Sequence, residues 1–227
     1  MAFKGGIGML VLNDVLSAET AQAYRQKLDV VPLVDGKATQ ARFIDGRKTN
    51  RQAELDSPQA RELAEGIRIA LAKNTTFQSY ARPHRWAKIR FARYRVGDAY
   101  DMHVDHPVMA TDDGTMRSDM SFTVFLSDPS EYEGGELIMQ GFSTQQAVKL
   151  PAGSVVTYAT TVPHRVAPVT AGERWVGVGW IQSQVRREDQ RDILFDLSRL
   201  RPALPSGQAR LTLEKSIFNL IRLWADP

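Results

Sequence analysis

The sequence predicts a mainly β protein with helical flanks, built on a double-sheet jelly roll or a small barrel. Three observations predict it. From Trp86 to Gln182 the apolar residues follow an extended rather than a helical period. Turn-rich pieces such as Glu133-Gly134-Gly135, Pro151-Ala152-Gly153 and Thr170-Ala171-Gly172 divide that stretch into short runs. On either side of it, apolar residues recur at helical spacing. A chain of 227 residues accommodates one such sandwich with its flanks. The expected division is an N-terminal helix-and-strand flank over 1–77, a jelly-roll core over 78–182 and a C-terminal helical segment over 183–227.

Residues 7–12 are apolar and predict a first strand. Ser17 is a helix N-cap with Glu19 in the first turn, and the helix runs to about Leu28. Asp35-Gly36 and Asp45-Gly46 mark turns around short extended pieces within 32–52. The run Gly46-Arg47-Lys48-Thr49-Asn50-Arg51 is polar and basic, and a solvated loop is favoured over a substrate-facing one. Ser57-Pro58 opens a second helix, because proline at the first helical position gives up only an unbonded N–H. Leu63, Ile67, Ala70 and Leu71 stripe it to about Lys73, and Asn74 suits its end. Strands are then expected at 86–94, 99–106, 120–126, 135–140, 146–150, 153–159, 163–169 and 174–182. Past Ser183, Ile193, Leu194, Leu197 and Leu200 stripe a helix over about 186–200. Pro202 to Gly207 breaks the chain, and Leu213, Ile217, Leu220, Ile221 and Trp224 stripe another helix. These last helices either cover the barrel, pack on each other or form a homo-oligomer contact. A buried stripe would argue for a monomer and an exposed one for a dimer.

There are no cysteines, which excludes disulfides, thiolate-held metals and cysteine nucleophiles. The formal charge of +3 arises from well-mixed acidic and basic residues without a basic stripe, so nucleic acid is not an expected partner. Met9-Leu10-Val11-Leu12 is too short for a signal core, and no apolar run approaches the about 20 residues of a membrane span. A cytoplasmic location without membrane contact is expected.

The chemistry is expected around Tyr94 to Asp105. In an extended segment side chains alternate faces, so His103 and Asp105 project to one side. A histidine and an aspartate at this spacing are weak evidence alone, since four histidines in an aspartate-rich chain make the pattern by chance often enough. His164 is the expected third ligand. If Thr170-Ala171-Gly172 closes a hairpin with Gly172 in the left-handed position, Pro168 lies opposite Arg174. His164 and Arg174 then share a face. Two neutral imidazoles and a carboxylate with open positions beside them suit non-haem Fe(II), and an arginine nearby would bind a carboxylate through paired hydrogen bonds. His106 alternates to the other face and His84 reads as a loop histidine.

These residues carry a resemblance. Tyr94-x-x-Gly97-x-x-Tyr100-x-x-His103-x-Asp105, with the distal His164 and following Arg174, resembles the Fe(II)/2-oxoglutarate-dependent dioxygenases of the prolyl-4-hydroxylase-like group, and most closely the bacterial PKHD-type hydroxylases. Ser121 to Asp128, Tyr132 to Leu137 and Leu150 to Ser154 are similar to that family's core. Arg186 to Arg191 and Phe218 to Trp224 are similar to its C-terminal segment. The resemblance implies a double-stranded β-helix (jelly roll) core with iron on His103, Asp105 and His164 as the catalytic metal ligands. It implies 2-oxoglutarate on Arg174, O₂ as oxidant and L-ascorbate as a helper that keeps the iron reduced. Tyr94 and Tyr100 match motif tyrosines whose hydroxyls would line the co-substrate pocket, aromatic packing being the other reading. Many prolyl hydroxylases carry a tyrosine where this chain has Phe125, and Thr123, two residues earlier on the same face, is the expected substitute.

The resemblance implies that oxidative decarboxylation of 2-oxoglutarate is coupled to hydroxylation of a small-molecule or peptide substrate, and it is associated with bacterial iron acquisition. The alternatives are a Zn²⁺ or Mn²⁺ hydrolase or isomerase on the same ligands, which would not need Arg174, and a non-catalytic metal-binding module. Lys48, Arg51, Lys88 and Arg90 are basic residues near the expected mouth and would favour an acidic substrate, against the ordinary reading of solvated surface charge.

Overall fold

The computed structural model describes residues 2–5, 8–39 and 46–226. Ile7 and Asp45, which enter the first-strand and turn expectations, lie outside the described residues. The strands are β1 Ala2–Gly5, β2 Met9–Leu12, β3 Leu33–Asp35, β4 Arg51–Ala53, β5 Pro83–Trp86, β6 Arg90–Arg95, β7 Tyr100–His103 and β8 Val108–Thr111. They continue with β9 Gly114–Arg117, β10 Met120–Phe125, β11 Tyr132–Gly134, β12 Leu137–Gln140, β13 Gln145–Val148, β14 Val155–Ala159, β15 His164–Val166 and β16 Val169–Ser183. The helices are α1 Ala18–Leu28, α2 Pro58–Lys73, α3 Thr75–Ala81, α4 Glu188–Arg199 and α5 Gln208–Trp224.

Local chemistry sets the helix starts. Ser17 accepts a hydrogen bond from the Thr20 amide, and Ser57 accepts one from Ala60 with Pro58 in the first turn. Asn74 ends α2 and at once caps α3 by accepting from the Phe77 amide, so a short helix follows where none was expected.

The larger sheet runs β1-β2-β14-β10-β16-β6-β4-β3, with β11 and β5 also paired to β16. The smaller sheet runs β13-β12-β15-β7, and β8 pairs β9. One face of the larger sheet (Phe91, Phe122, Val124, Trp175) packs under α1, α2 and α3 through Leu28, Leu63, Ile67 and Phe77. Its other face (Ala92, Tyr94, Phe125, Val176) packs against Leu137, Met139, Val148 and Val166 of the smaller sheet. The larger sheet is therefore buried on both sides. This explains why β10 is buried at every position even though Met120-Ser121-Phe122-Thr123-Val124 alternates apolar and polar residues. No helix among the described residues is long and apolar enough to cross a membrane.

Two expectations need correction. The hairpin joining His164 to Arg174 does not form. β15 belongs to the smaller sheet and β16 to the larger, so the two residues face each other across the sandwich. Gly172 does have a positive φ of 70°, but its role is to pair with Tyr132 of β11, where an added Cβ would lie 2.0 Å from the Glu131 carbonyl oxygen. Nor is the segment around Lys48 a solvated loop. Lys48, Asn50 and Gln52 are buried, Gln52 through the pairing of β4 with β6. Thr111 to Gly114 closes the β8–β9 hairpin, in a stretch where no strand is expected.

At the C terminus the stripe on α5 is covered within the chain. Ile217 is fully buried against Val185 and Leu194, with Leu213, Leu220, Ile221 and Trp224 packed around them. Phe195 of α4 meets Tyr80 of α3 edge-on at 5.0 Å, which ties this segment to the helical layer. Leu211, Phe218 and Leu223 remain exposed.

Candidate active site

His103 and His164 lie directly opposite each other on the antiparallel pair β7–β15. Each ring donates its Nδ1–H to the carbonyl two residues earlier in the chain: His103 to Asp101 at 2.8 Å, His164 to Val162 at 2.9 Å. A carbonyl only accepts, so both Nε2 atoms carry the free lone pair. Those Nε2 atoms converge on Asp105, at 4.0 Å from His103 and 3.9 Å from His164. Asp105 stands just past the end of β7, so the loop sets its direction rather than the strand pleat inferred from the sequence. Its Oδ2 accepts a 2.5 Å hydrogen bond from Ser121 Oγ on the facing sheet. One ligand atom from each of the three residues falls within 4.8 Å of the others, a set able to hold a metal ion. Burial, and then the neighbouring His164, push the His103 pKa down to about 4, so its imidazole is neutral and ready to ligate at ordinary pH.

The facing sheet is laid out in rows by its register. Tyr158, Ser121 and Trp180 stand abreast on β14, β10 and β16. Next come Val156, Thr123, Val178 and Arg90, then Phe125, Val176, Ala92 and Gln52, and finally Arg174 beside Tyr94. Arg174 is 1% exposed, with its guanidinium 5.1 Å from the Tyr94 ring and 5.6 Å from Phe125. Its Nε and Nη1 are buried without a hydrogen-bond partner among the described residues. Tyr94, Tyr132 and Tyr158 all feel its positive charge, which offsets part of the rise that burial imposes on their hydroxyls. Tyr132 Oη stands close enough for that effect but outside hydrogen-bond geometry. A buried fork of donors ringed by hydroxyls is a site for a carboxylate.

One cavity connects the two features. His103, Asp105 and His164 line it together with Arg174, and so do Tyr94, Tyr100 and Thr123. Tyr100 is stacked on the His103 imidazole at a centroid distance of 3.6 Å, so it packs as an aromatic whatever its hydroxyl does. Tyr158 lines the cavity beside Thr123 and meets the His164 ring edge-on at 5.1 Å. Ser121 and Tyr158 escaped the sequence reading. Ser121 shares the parity of Thr123 on one strand, and that parity was a usable signal. Tyr158 sits in the uniformly buried run Val155–Ala159, which hides its face. His106 borders the cavity outside the ligand cluster, and His84 is exposed.

The 2OG-Fe(II) oxygenase superfamily model matches residues 89–182. A PKHD-type hydroxylase from Hyphomonas neptunium is 40% identical over 223 residues, covering 96% of this chain and 100% of that protein. The chain belongs to the PKHD-type hydroxylases. A second member, from a Picosynechococcus species, is 41% identical over 95% of this chain and 98% of its own. A solved prolyl hydroxylase from Trichoplax adhaerens superposes with a TM-score of 0.58 at 17% identity, covering 83% of this chain and 87% of its own, and shows the shared double-stranded β-helix. This PKHD-type hydroxylase is accordingly an Fe(II)- and 2-oxoglutarate-dependent dioxygenase. Its donor set fits that equipment: two neutral imidazoles and one carboxylate suit Fe(II) with open positions, and the partnerless nitrogens of Arg174 suit a dicarboxylic 2-oxo acid.

Proposed function

We propose that His103, Asp105 and His164 hold the Fe(II), and that Arg174 anchors the far carboxylate of 2-oxoglutarate. The observation that carries this reading is the burial of Arg174 in the ligand-lined cavity with no acidic partner among the described residues. The bound iron supplies the redox chemistry in which O₂ and 2-oxoglutarate yield succinate, CO₂ and a hydroxylated small-molecule or peptide substrate. The protein's own share is positional. The Asp101 and Val162 carbonyls fix both imidazole tautomers, and Ser121 orients Asp105. Leu137, Val166 and Val176 keep the cavity wall apolar, which strengthens each charge–charge contact inside it. A Zn²⁺ or Mn²⁺ hydrolase on these ligands would have no use for the guanidinium.

The direct test is an anaerobic titration of the apo protein with Fe(II) and 2-oxoglutarate, followed by visible absorption. A weak charge-transfer band should appear only when both are present. Iron binding without that band would overturn the reading.

Phe125 lies under Arg174 and offers no hydroxyl, so a neighbouring residue has to supply one. Thr123 and Tyr158 bring hydroxyls into the same cavity. Tyr158→Phe is expected to raise the KM for 2-oxoglutarate about tenfold, the effect of one hydrogen bond to a charged group, with kcat changed much less. An unchanged KM would remove Tyr158 from the co-substrate pocket.

A further inference from the structure

The cavity has a second cationic end. Arg174 stands opposite Tyr94, whereas Arg90 stands opposite Val178, so four residues of β16, about 13 Å, separate the two arginine positions. Lys48 and Trp180 line the cavity along with Arg90. Lys48 is 5% exposed, donates to Thr39 Oγ1 at 2.8 Å and lies 4.7 Å over the Tyr100 ring, whose stack on His103 links this end to the ligand cluster. Trp180 stands abreast of Ser121, the residue that holds Asp105, and its Nε1–H is buried without a partner among the described residues.

Among the described residues no carboxylate lies within ion-pair distance of Lys48 or Arg90. Burial and the charge of Arg90 push Lys48 down to about 8, while Asp105 and Asp35 are the acidic groups that act the other way. Burial lowers Arg90 as well. The other two basic residues of the expected mouth behave as ordinary surface charge: Lys88 bonds Asp56 and Asp112, and Arg51 is exposed. Like charges gathered in one partly buried cavity with no close carboxylate among the described residues oppose folding. Such an arrangement is maintained where a ligand completes it.

We propose that Lys48, Arg90 and the Trp180 indole N–H bind a carboxylate of the substrate, so that this oxygenase acts on an organic acid. The proposal rests on the oxygenase reading above. Arg90 offers a planar fork matched to a carboxylate, Lys48 adds a point charge, and the Trp180 ring offers a flat apolar wall to the body of the acid. The carboxylate end sets the position of the substrate, and a nearby C–H is presented to the metal ligands.

The test uses the enzyme loaded anaerobically with Fe(II) and saturating 2-oxoglutarate, so that Arg174 is occupied. It is titrated with benzoate and with benzamide, a neutral probe of the same shape, and binding is read by tryptophan fluorescence and calorimetry. Benzoate is expected to bind about tenfold to a hundredfold more tightly, the range for hydrogen bonds to a charged group. Lys48→Met combined with Arg90→Met should remove the preference, while Lys48→Arg, which keeps the charge, should retain most of it. Equal binding of the two probes by the wild type would overturn the proposal. So would a preference that survives the double substitution, or loss of the iron–2-oxoglutarate absorption band in the double variant, which would assign these cations to the co-substrate. Failure of the wild type to form that band is a different result, and it strikes the oxygenase reading instead.

Discussion

Asp105→Ala is expected to abolish succinate formation from 2-oxoglutarate and to release iron on desalting. Asp105 is the one anionic member of the ligand cluster, and both Nε2 atoms point toward it. Without it two neutral imidazoles remain, with no charge to offset a divalent cation in a cavity walled by buried apolar side chains. Loss of an outer-shell partner alone commonly costs about 10- to 100-fold in metal affinity, so loss of the ligand itself should exceed that. The substitution also strands Ser121 Oγ, whose hydrogen bond goes to Asp105. Succinate release by quantitative chromatography and iron content by elemental analysis are the two readouts. Iron retained at one equivalent, with succinate formed at the wild-type rate, would remove Asp105 from the metal site.

Arg174→Met should separate co-substrate binding from folding. Met keeps most of the side-chain volume against Tyr94, Phe125 and Tyr132 but removes the fork of donors. A carboxylate left in this pocket without its cation loses about 3–5 kcal/mol, equivalent to roughly 10²- to 10³-fold in 2-oxoglutarate affinity. The apo protein should respond differently. Arg174 is buried with two nitrogens unsatisfied, and an unpaired buried cation opposes folding. The variant is therefore expected to melt no lower than wild type in the absence of ligand, while losing the stabilisation that 2-oxoglutarate gives the wild type. An affinity within a few-fold of wild type would move the anchor elsewhere. A melting temperature well below wild type would show that the guanidinium has a structural partner.

The Ser17 and Ser57 caps were legible in the chain because their bonds close within three residues. The candidate site was less so: His103-x-Asp105 is weak by spacing alone, and it was the family motif that singled out His164 and Arg174, since the hairpin expected to align them does not form. The basic run at 46–51 was harder. Its polarity suited a solvated loop, yet Lys48 bridges to Tyr100, and Asn50 and Gln52 are buried beside β6. Polarity reports the cost of burying a side chain, and a cavity wall is one place where that cost is met. The β8–β9 hairpin was not foreseen because Val108–Thr111 and Gly114–Arg117 are four residues each, too short to display a clear period.

What the sequence by itself determined is which side chains are available, that the core is β with helical flanks, and, through its resemblance, which two histidines, aspartate and arginine are the candidates for one site. What only the tertiary structure decided is how they meet. A hairpin would have set His164 and Arg174 side by side on one sheet, whereas the fold sets them on opposite sheets with the cavity between. That difference depends on which strands pair, and pairing is governed by contacts such as Tyr132 with Gly172 and His103 with His164. Residues so far apart in the chain leave no periodicity for sequence to display. The same holds for the second cationic end, where Lys48, Arg90 and Trp180 come from three distant segments and converge only when the sandwich closes.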